Sequence, residues 1–335
     1  MEEDLKAKIE GVLDEVIILE PKRSLAQFNM VRDVEVADGH VKIGLALTAL
    51  NSSAQESVEE RVRSRVGELS GVKDVEIELV EAPPKDLNEF KHIVAVMSGK
   101  GGVGKSLVAG LLGISLARQG HEVGILDADI TGPSIPRMFG VKSRPMGSDT
   151  GILPVETRSG IEIMSINLLL PQEDDAVIWR GPLLAKAIMQ FWEDVLWGKL
   201  DYLIVDVPPG TADIPLTVMQ SLPLTGVVIV STPQDLAGMV VRKAVHMAEN
   251  LNVRVLGVVE NMSYLLIPET GKKLELFGKS KGDEMAKEAN APLLARLPID
   301  PELARLCDEG DVERYNSEEF IAFSQAFAQA VASQG

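Results

Sequence analysis

In the first 80 residues, apolar and polar positions alternate between helical and strand periods. Leu5, Ile9, Val12, Leu13 and Val16 recur at helical spacing, and "HVKIGLALTAL" (40–50) then alternates like a half-buried strand. Val58, Val62, Val66 and Leu69 fall on one face of a second helix over about 54–69, after which "GVKDVEIELV" (71–80) alternates again. The pattern predicts a small α+β domain over 1–80 in the order helix, strand, helix, strand. "EAPPKDLNEF" (81–90) has paired prolines and no period, so it reads as a linker.

From Lys91 the pattern changes to short, nearly continuous apolar runs: 92–98, 122–129, 161–166, 201–207, 226–232, 254–260 and 292–297. Fully apolar strands separated by helical stretches predict a doubly wound, mainly parallel sheet covered on both faces, an α/β domain over 91–335. Such sheets bind ligands beyond the carboxyl ends of their strands, and the polar motifs below fall at those ends.

Composition narrows the possibilities. The 335 residues include 33 basic and 50 acidic side chains, a formal charge of −17 that repels nucleic acid and anionic membrane. No apolar run reaches the ~20 residues of a membrane span, and the N-terminus is acidic where a signal peptide is basic, so a cytoplasmic location is expected. Cys307 is the single cysteine, which excludes a disulfide framework and a metal site built from several thiolates of one chain.

Gly99 to Ser106 fits G-x-x-x-x-G-K-[ST] between a strand and a helix. Gly99, Gly101, Gly102, Val103 and Gly104 are expected to cradle phosphate with backbone N–H groups, Lys105 to reach the β- and γ-phosphates, and Ser106 to ligate Mg2+. Asp206 ends the apolar run of "YLIVDVPPGT" (202–211) and is expected at the metal, with the Gly210 N–H near the γ-phosphate. "LDADITGPS" (126–134) adds Asp127, read as a metal residue, and Asp129, read as the base that orients the attacking water. The guanine-reading Asn-Lys-x-Asp pattern is absent. Asn261 is expected on the adenine edge, with Pro298 and Asp300 as a further wall, favouring ATP over GTP.

Lys100 is too early in the loop to duplicate Lys105. Phosphoryl transfer often uses a cation supplied in trans, so Lys100 predicts a homodimer with each lysine serving the facing subunit.

K-G-G-V-G-K-S resembles the deviant Walker A family that contains MinD, ParA and the nitrogenase iron protein. "VMSGKGGVGKS", "LDADITGPSIPRMFG" (126–140), "VIWRGP" (177–182), "DYLIVDVPPGTADIPLT" (201–217) and "VVENMSY" (258–264) resemble the Mrp-type iron–sulfur cluster carrier ATPases in particular, over about residues 90–312. The first 80 residues are similar to the small cluster-assembly-like domain of many Mrp proteins, with "LEPKR" (19–23) and "TALNSSA" (48–54) where that domain has Asp-Pro-Glu and often Cys-Pro.

The resemblance implies a slow, Mg-dependent, dimeric P-loop ATPase that carries a [4Fe–4S] cluster to apo iron–sulfur proteins or works with cluster-assembly factors. It also implies a Cys-Pro-x-Cys-Gly element after Tyr264, where this chain has "YLLIPETGKK" (264–273). Pro268 and Gly271 match, but Ile267 and Thr270 stand in the places of the cysteines and offer iron no thiolate. Cys307 reads as a buried thiol of a late helix.

Two other readings follow. A positioning ATPase like MinD or ParA would want a basic amphipathic C-terminal helix, whereas residues 316–335 contain no Lys or Arg and read as a cap on the core. A nucleotide-switched chaperone for another metal or protein would need no cluster cysteines. Trp179, Phe191, Trp192 and Trp197 read as core or dimer interface, and the resemblance places Arg180 near a partner or a phosphate.

Overall fold

A computed structural model describes residues 2–18, 22–129, 132, 134–169, 181–211, 213–234, 237–267 and 270–332. Trp179, Arg180 and Pro268 lie outside the described residues. The chain forms two compact units: a smaller one of residues 1–90, 144–156 and 190–200, and a larger one of 91–143, 157–189 and 201–335.

The smaller unit contains α1 (Glu2–Asp14), β1 (Val31–Ala37), β2 (His40–Leu45), α2 (Ser52–Gly67) and β3 (Asp74–Leu79). Its sheet runs β1-β2-β3, antiparallel at β1/β2 and parallel at β2/β3. The element order is therefore helix, strand, strand, helix, strand. The added strand β1 escapes the alternation test because the register shifts between Val31 and Asp33, which moves Val31 out of phase with Val34 and Val36. β1 and β2 are joined through Asp38 and Gly39, which both take positive φ, 52° and 86°, as a two-residue Asp-Gly hairpin turn requires. Asn51 caps α2 by accepting from Ala54 N at 2.9 Å.

Ile9, Leu13, Phe28, Ile43, Leu45, Val58 and Val62 form the core of this unit, joined by Leu153 and Leu196 from the later segments. Residues 81–90 are ordered where a linker was expected, with a helical turn at Pro84–Leu87. Asn88 Oδ1 accepts from Trp197 N and Gly198 N at 2.7 and 3.0 Å, and its Nδ2 donates to Val195 O. The buried Arg23 donates to Trp197 O and Lys199 O at 2.8 and 2.7 Å. Phe191 and Trp197 are core residues, and Trp192 stacks on Phe90.

From Glu89 the chain alternates strands and helices: β4 (Glu89–Met97), α3 (Lys105–Arg118), β5 (Val123–Asp127), β6 (Glu162–Ser165), α4 (Gly181–Asp194), β7 (Lys199–Asp206), α5 (Asp213–Ser221) and β8 (Gly226–Ser231). It continues with α6 (Ala237–Asn250), β9 (Val255–Glu260), a hairpin of β10 (Leu265–Ile267) and β11 (Lys272–Leu274), α7 (Gly282–Glu288), β12 (Leu293–Arg296), α8 (Pro301–Glu309) and α9 (Glu318–Ala332). The strand order is β6-β5-β7-β4-β8-β9-β12. Pairing is parallel at β6/β5, β5/β7, β4/β8, β8/β9 and β9/β12. β5 and β8 are buried along their whole length, which is why they read as unbroken apolar runs.

After β4 the chain builds one side of the sheet, through β5, β6 and β7, and then the other, through β8, β9 and β12. The switch point therefore lies at β4, whose carboxyl end is the Gly-rich loop. In α9, Phe320, Phe323, Phe327 and Ala330 are buried, so its apolar face belongs to the core. No helix among the described residues is long and apolar enough to cross a membrane.

Candidate nucleotide site

Between β4 and α3 the loop turns on two glycines in left-handed geometry, Gly102 at φ 77° and Gly104 at φ 79°. Left-handed steps of this kind turn successive N–H groups into one concavity, and α3 opens there with its own unpaired N–H groups. Space restricts two of the glycines, Gly99 and Gly104. A Cβ at residue 104 would lie 2.2 Å from Asn261 Nδ2, and one at residue 99 would lie 2.7 Å from Val240 O. Gly101 and Gly102 are exposed and open. Ser98 Oγ donates to Lys100 O at 2.9 Å, and Gly210 N donates to Ser98 O at 2.9 Å.

The acids at the strand ends converge under this loop. Asp127 and Asp206 are register partners on β5 and β7, and both are fully buried. Lys105 Nζ is 2.6 Å from Asp206 Oδ1, 3.4 Å from Ser106 Oγ and 3.6 Å from Asp129 Oδ2. Asp127 accepts from Asp129 N, Ile135 N and Ser165 Oγ at 3.3, 3.4 and 3.2 Å. Burial, reinforced by the charge of Asp206, pushes the Asp127 carboxyl up to about 8. Burial raises Asp206 as well, opposed there by the adjacent Lys105 ammonium.

Asp206 Oδ2 is buried and has no hydrogen-bond partner. An orphaned carboxylate oxygen next to Ser106 and Lys105, beneath a cradle that a Cβ would fill, fits Mg2+ and a polyphosphate. Lys105, Ser106, Asp127, Asp129 and Asp206 thus come together under the loop.

Other expected residues have different partners. Lys100 directs its ammonium to Gln234 Oε1, away from the carboxylates. Asn261 is 2% exposed and donates Nδ2 to Val103 O at 2.9 Å, so its amide faces the phosphate loop where an adenine edge was expected. Asp300 caps α8, accepting from Glu302 N and Leu303 N at 2.9 and 3.4 Å, and its other oxygen accepts from Tyr315 OH at 2.8 Å. Both of its oxygens therefore serve the scaffold, in place of the base wall anticipated for it. Pro298 is half-buried just past β12. Gly210 holds φ 102°, with its N–H on Ser98 O where a phosphate was expected.

Sequence reasoning missed Ser165, Gln234, and Ser231 with Thr232, whose buried hydroxyls lack hydrogen-bond partners. Ser165 ends β6 as the register partner of Asp127, so the strand-end rule that found the acids would have found it. Gln234 follows β8 in a loop without a motif.

In the hairpin, Ile267 O accepts from Gly271 N at 2.8 Å and from Thr270 N at 3.3 Å. Neither Ile267 nor Thr270 can ligate iron as a thiolate does, and burial pushes the Cys307 thiol in α8 up to about 11. Among the described residues, no three His, Cys, Asp or Glu side chains are grouped to hold a metal. The residues present do not fit a [4Fe–4S] cluster. The hairpin and the residues after it instead expose Leu266, Leu274, Leu276 and Phe277.

Comparison with known proteins agrees with this architecture. Residues 6–79 match the family described as iron-sulfur cluster assembly protein. An iron-sulfur cluster carrier protein of Clostridium perfringens is 48% identical over 237 residues, 68% of this chain and 83% of its own length. One from Aquifex aeolicus is 38% identical over 350 aligned positions, covering 93% of this chain and 94% of its own. A nucleotide-binding protein of Archaeoglobus fulgidus, solved in complex with ADP, superposes with a TM-score of 0.62 at 48% identity, covering 69% of this chain and 91% of that one. The cell division ATPase MinD of Pyrococcus furiosus shares the fold, at 19% identity and a TM-score of 0.50 over 73% of this chain and 100% of that one. Residues 89–332 match a single family throughout, and the chain belongs to it: the NUBPL iron-transfer P-loop NTPases.

Proposed function

We propose that this protein binds and hydrolyses ATP with Mg2+ as a homodimer, and that the cycle serves iron–sulfur cluster assembly or transfer to apoproteins in the cytoplasm. The observation that carries the nucleotide reading is the buried Lys105–Asp206 pair, 2.6 Å apart, with the second Asp206 oxygen unpartnered beneath the glycine cradle. Such an arrangement leaves one anionic and one cationic group to be redistributed when a phosphate and its metal arrive. Lys105 then exchanges a carboxylate for phosphate oxygens. Mg2+, held by Ser106, Asp127 and Asp206, would neutralise charge developing on the phosphates. Asp127 sheds its proton on joining such a site, because a ligand carboxylate must be ionised. Asp129 orients the attacking water and takes up its proton, and Lys100 leaves Gln234 to reach the phosphates of the facing protomer.

The cluster is cargo in this reading. The match of residues 6–79 to an iron-sulfur cluster assembly domain and the relatives named as carriers support the cargo class. With Ile267 and Thr270 in place of cysteines, this reading takes the thiolates from a partner, either an apo iron–sulfur protein or an assembly factor. A second reading, a nucleotide-switched chaperone for another metal or protein, is favoured by those same two residues. A MinD-like positioning role is disfavoured by the buried phenylalanine face of α9.

Calorimetric titration of the full chain with Mg-ATP, followed by phosphate release, tests the first half; failure to bind removes it. ATP-dependent acceleration of cluster transfer from a loaded donor to an apoprotein tests the second half. Hydrolysis without acceleration turns the reading to the chaperone.

A further inference from the structure

Asn261 joins the phosphate loop to the hairpin. Its Nδ2 donates to Val103 O in a buried contact, and its own N–H donates to Ser231 O at 2.8 Å. Val103 C=O and Gly104 N–H belong to one planar peptide unit, so the group that accepts from Asn261 is rigidly tied to a donor of the phosphate cradle. The contact leaves no slack, since even a Cβ at residue 104 would lie 2.2 Å from this amide nitrogen.

Directly after Asn261, Met262 holds φ 55°, a left-handed geometry that a non-glycine residue keeps only under constraint. The chain then passes into the hairpin under tight control. Ser263 N donates to Leu297 O and Ile299 N to Tyr264 O, at 2.9 and 2.7 Å, and β10 begins at Leu265. Glu260, the neighbour of Asn261, clamps both ends of this segment. Its carboxylate accepts from Ser263 Oγ at 2.6 Å, from Ser280 Oγ at 2.7 Å and from Lys281 N at 2.7 Å. The hairpin is therefore hung on two consecutive residues, one of which holds the phosphate loop.

We propose that Asn261 is a positioning residue that couples occupancy of the phosphate loop to the setting of the β10–β11 hairpin. A phosphate drawn to the Gly104 N–H turns the Val103–Gly104 peptide, the Asn261 amide follows its acceptor, and the constrained Met262 passes the movement to Tyr264 and the hairpin. The exposed Leu266, Leu274, Leu276 and Phe277 then present a different apolar surface in the two nucleotide states. This inference rests on the nucleotide reading above.

The test uses the full chain with Cys307→Ser and Leu266→Cys, which puts one reactive thiol on the hairpin clear of positions 267 and 270. The rate of thiol labelling by an aromatic disulfide is measured without nucleotide, with ADP and with a non-hydrolysable ATP analogue, while a fluorescent analogue reports binding. The expected result is a nucleotide-dependent rate that is lost on adding Asn261→Ala at saturating analogue. Met262→Gly, which relieves the constraint and leaves the Asn261–Val103 bond in place, should keep binding and diminish the response. It decides the matter if Asn261→Ala does not fold, because an undiminished response overturns the coupling. Equal responses with and without Asn261→Ala overturn it too. If the parent binds the analogue and its labelling never changes, the coupling alone is wrong; if it binds no nucleotide, the proposed function falls as well.

Discussion

Asp206 lies directly opposite Asp127 on adjacent parallel strands, both without solvent exposure, and Lys105 Nζ sits 2.6 Å from the first of them. Three buried carboxylates, Asp127, Asp129 and Asp206, share the single Lys105 ammonium, so the coupled Asp127–Asp206 pair retains a proton in the absence of ligand, burial holding the Asp127 carboxyl up at about 8.

That proton makes stability depend on pH with a definite sign. Below about pH 4 Asp127 is protonated in the folded and unfolded chains alike, and up to about pH 8 the folded chain keeps a proton that the unfolded chain has lost. The ionisation penalty therefore grows as pH rises through this window and is complete above it. Asp127→Asn should flatten the decline, gaining stability on the order of a few kcal/mol at alkaline pH. Urea unfolding at pH 5, 7 and 9 checks this, and curves that stay parallel for parent and variant would refute it.

Removing Lys105 should harm the fold as well as the site. Lys105→Ala leaves the buried Asp206 carboxylate without its cation, a change that costs roughly 3–5 kcal/mol when such a pair is broken. Asp206→Asn leaves Lys105 with Asp129 at 3.6 Å and should cost less stability. Both should weaken ATP binding. Thermal unfolding together with ATP titration separates the two effects, and equal melting temperatures for Lys105→Ala and the parent would count against the buried pair.

Lys100 is held apart from this cluster by Gln234. Lys100→Ala should sharply reduce ATP hydrolysis while one protomer still binds nucleotide with near-parental affinity. Steady-state phosphate release and calorimetry on the same preparation measure both. Normal turnover in Lys100→Ala would remove the trans role and with it the main argument for a catalytic dimer.

The hairpin offers a gain-of-function experiment. Ile267→Cys with Thr270→Cys introduces two thiols at positions linked by the bond from Thr270 N to the residue 267 carbonyl. After anaerobic reconstitution with iron and sulfide, the double variant should acquire broad iron–sulfur absorbance and the parent should not. Absorbance in the parent would mean that this chain ligates a cluster by other residues.

How much of this was legible depended on how local each determinant is. The phosphate loop could be read because its glycines, lysine and serine are consecutive, and Asp127 and Asp206 because each ends an apolar run. Their pairing could not, since it is fixed by β5 and β7 lying side by side after a long crossover. The same holds for Asn261. A strand-end amide suggests a base, whereas its partner is set by the left-handed turn at Gly104. Strand β1 was hidden by its bulge, and residues 190–200 by their distance along the chain from the core they complete.

The three-part composition of the smaller unit bears on its biogenesis. Its core needs Leu153 and Leu196, and Arg23 and Asn88 bond residues 195–199. On the ribosome the first 90 residues emerge early, yet their interior is complete only once Leu153 and Leu196 have followed. This N-terminal unit is thus made first and finished late, and nascent chains halted before that point should remain open to protease along their first 90 residues.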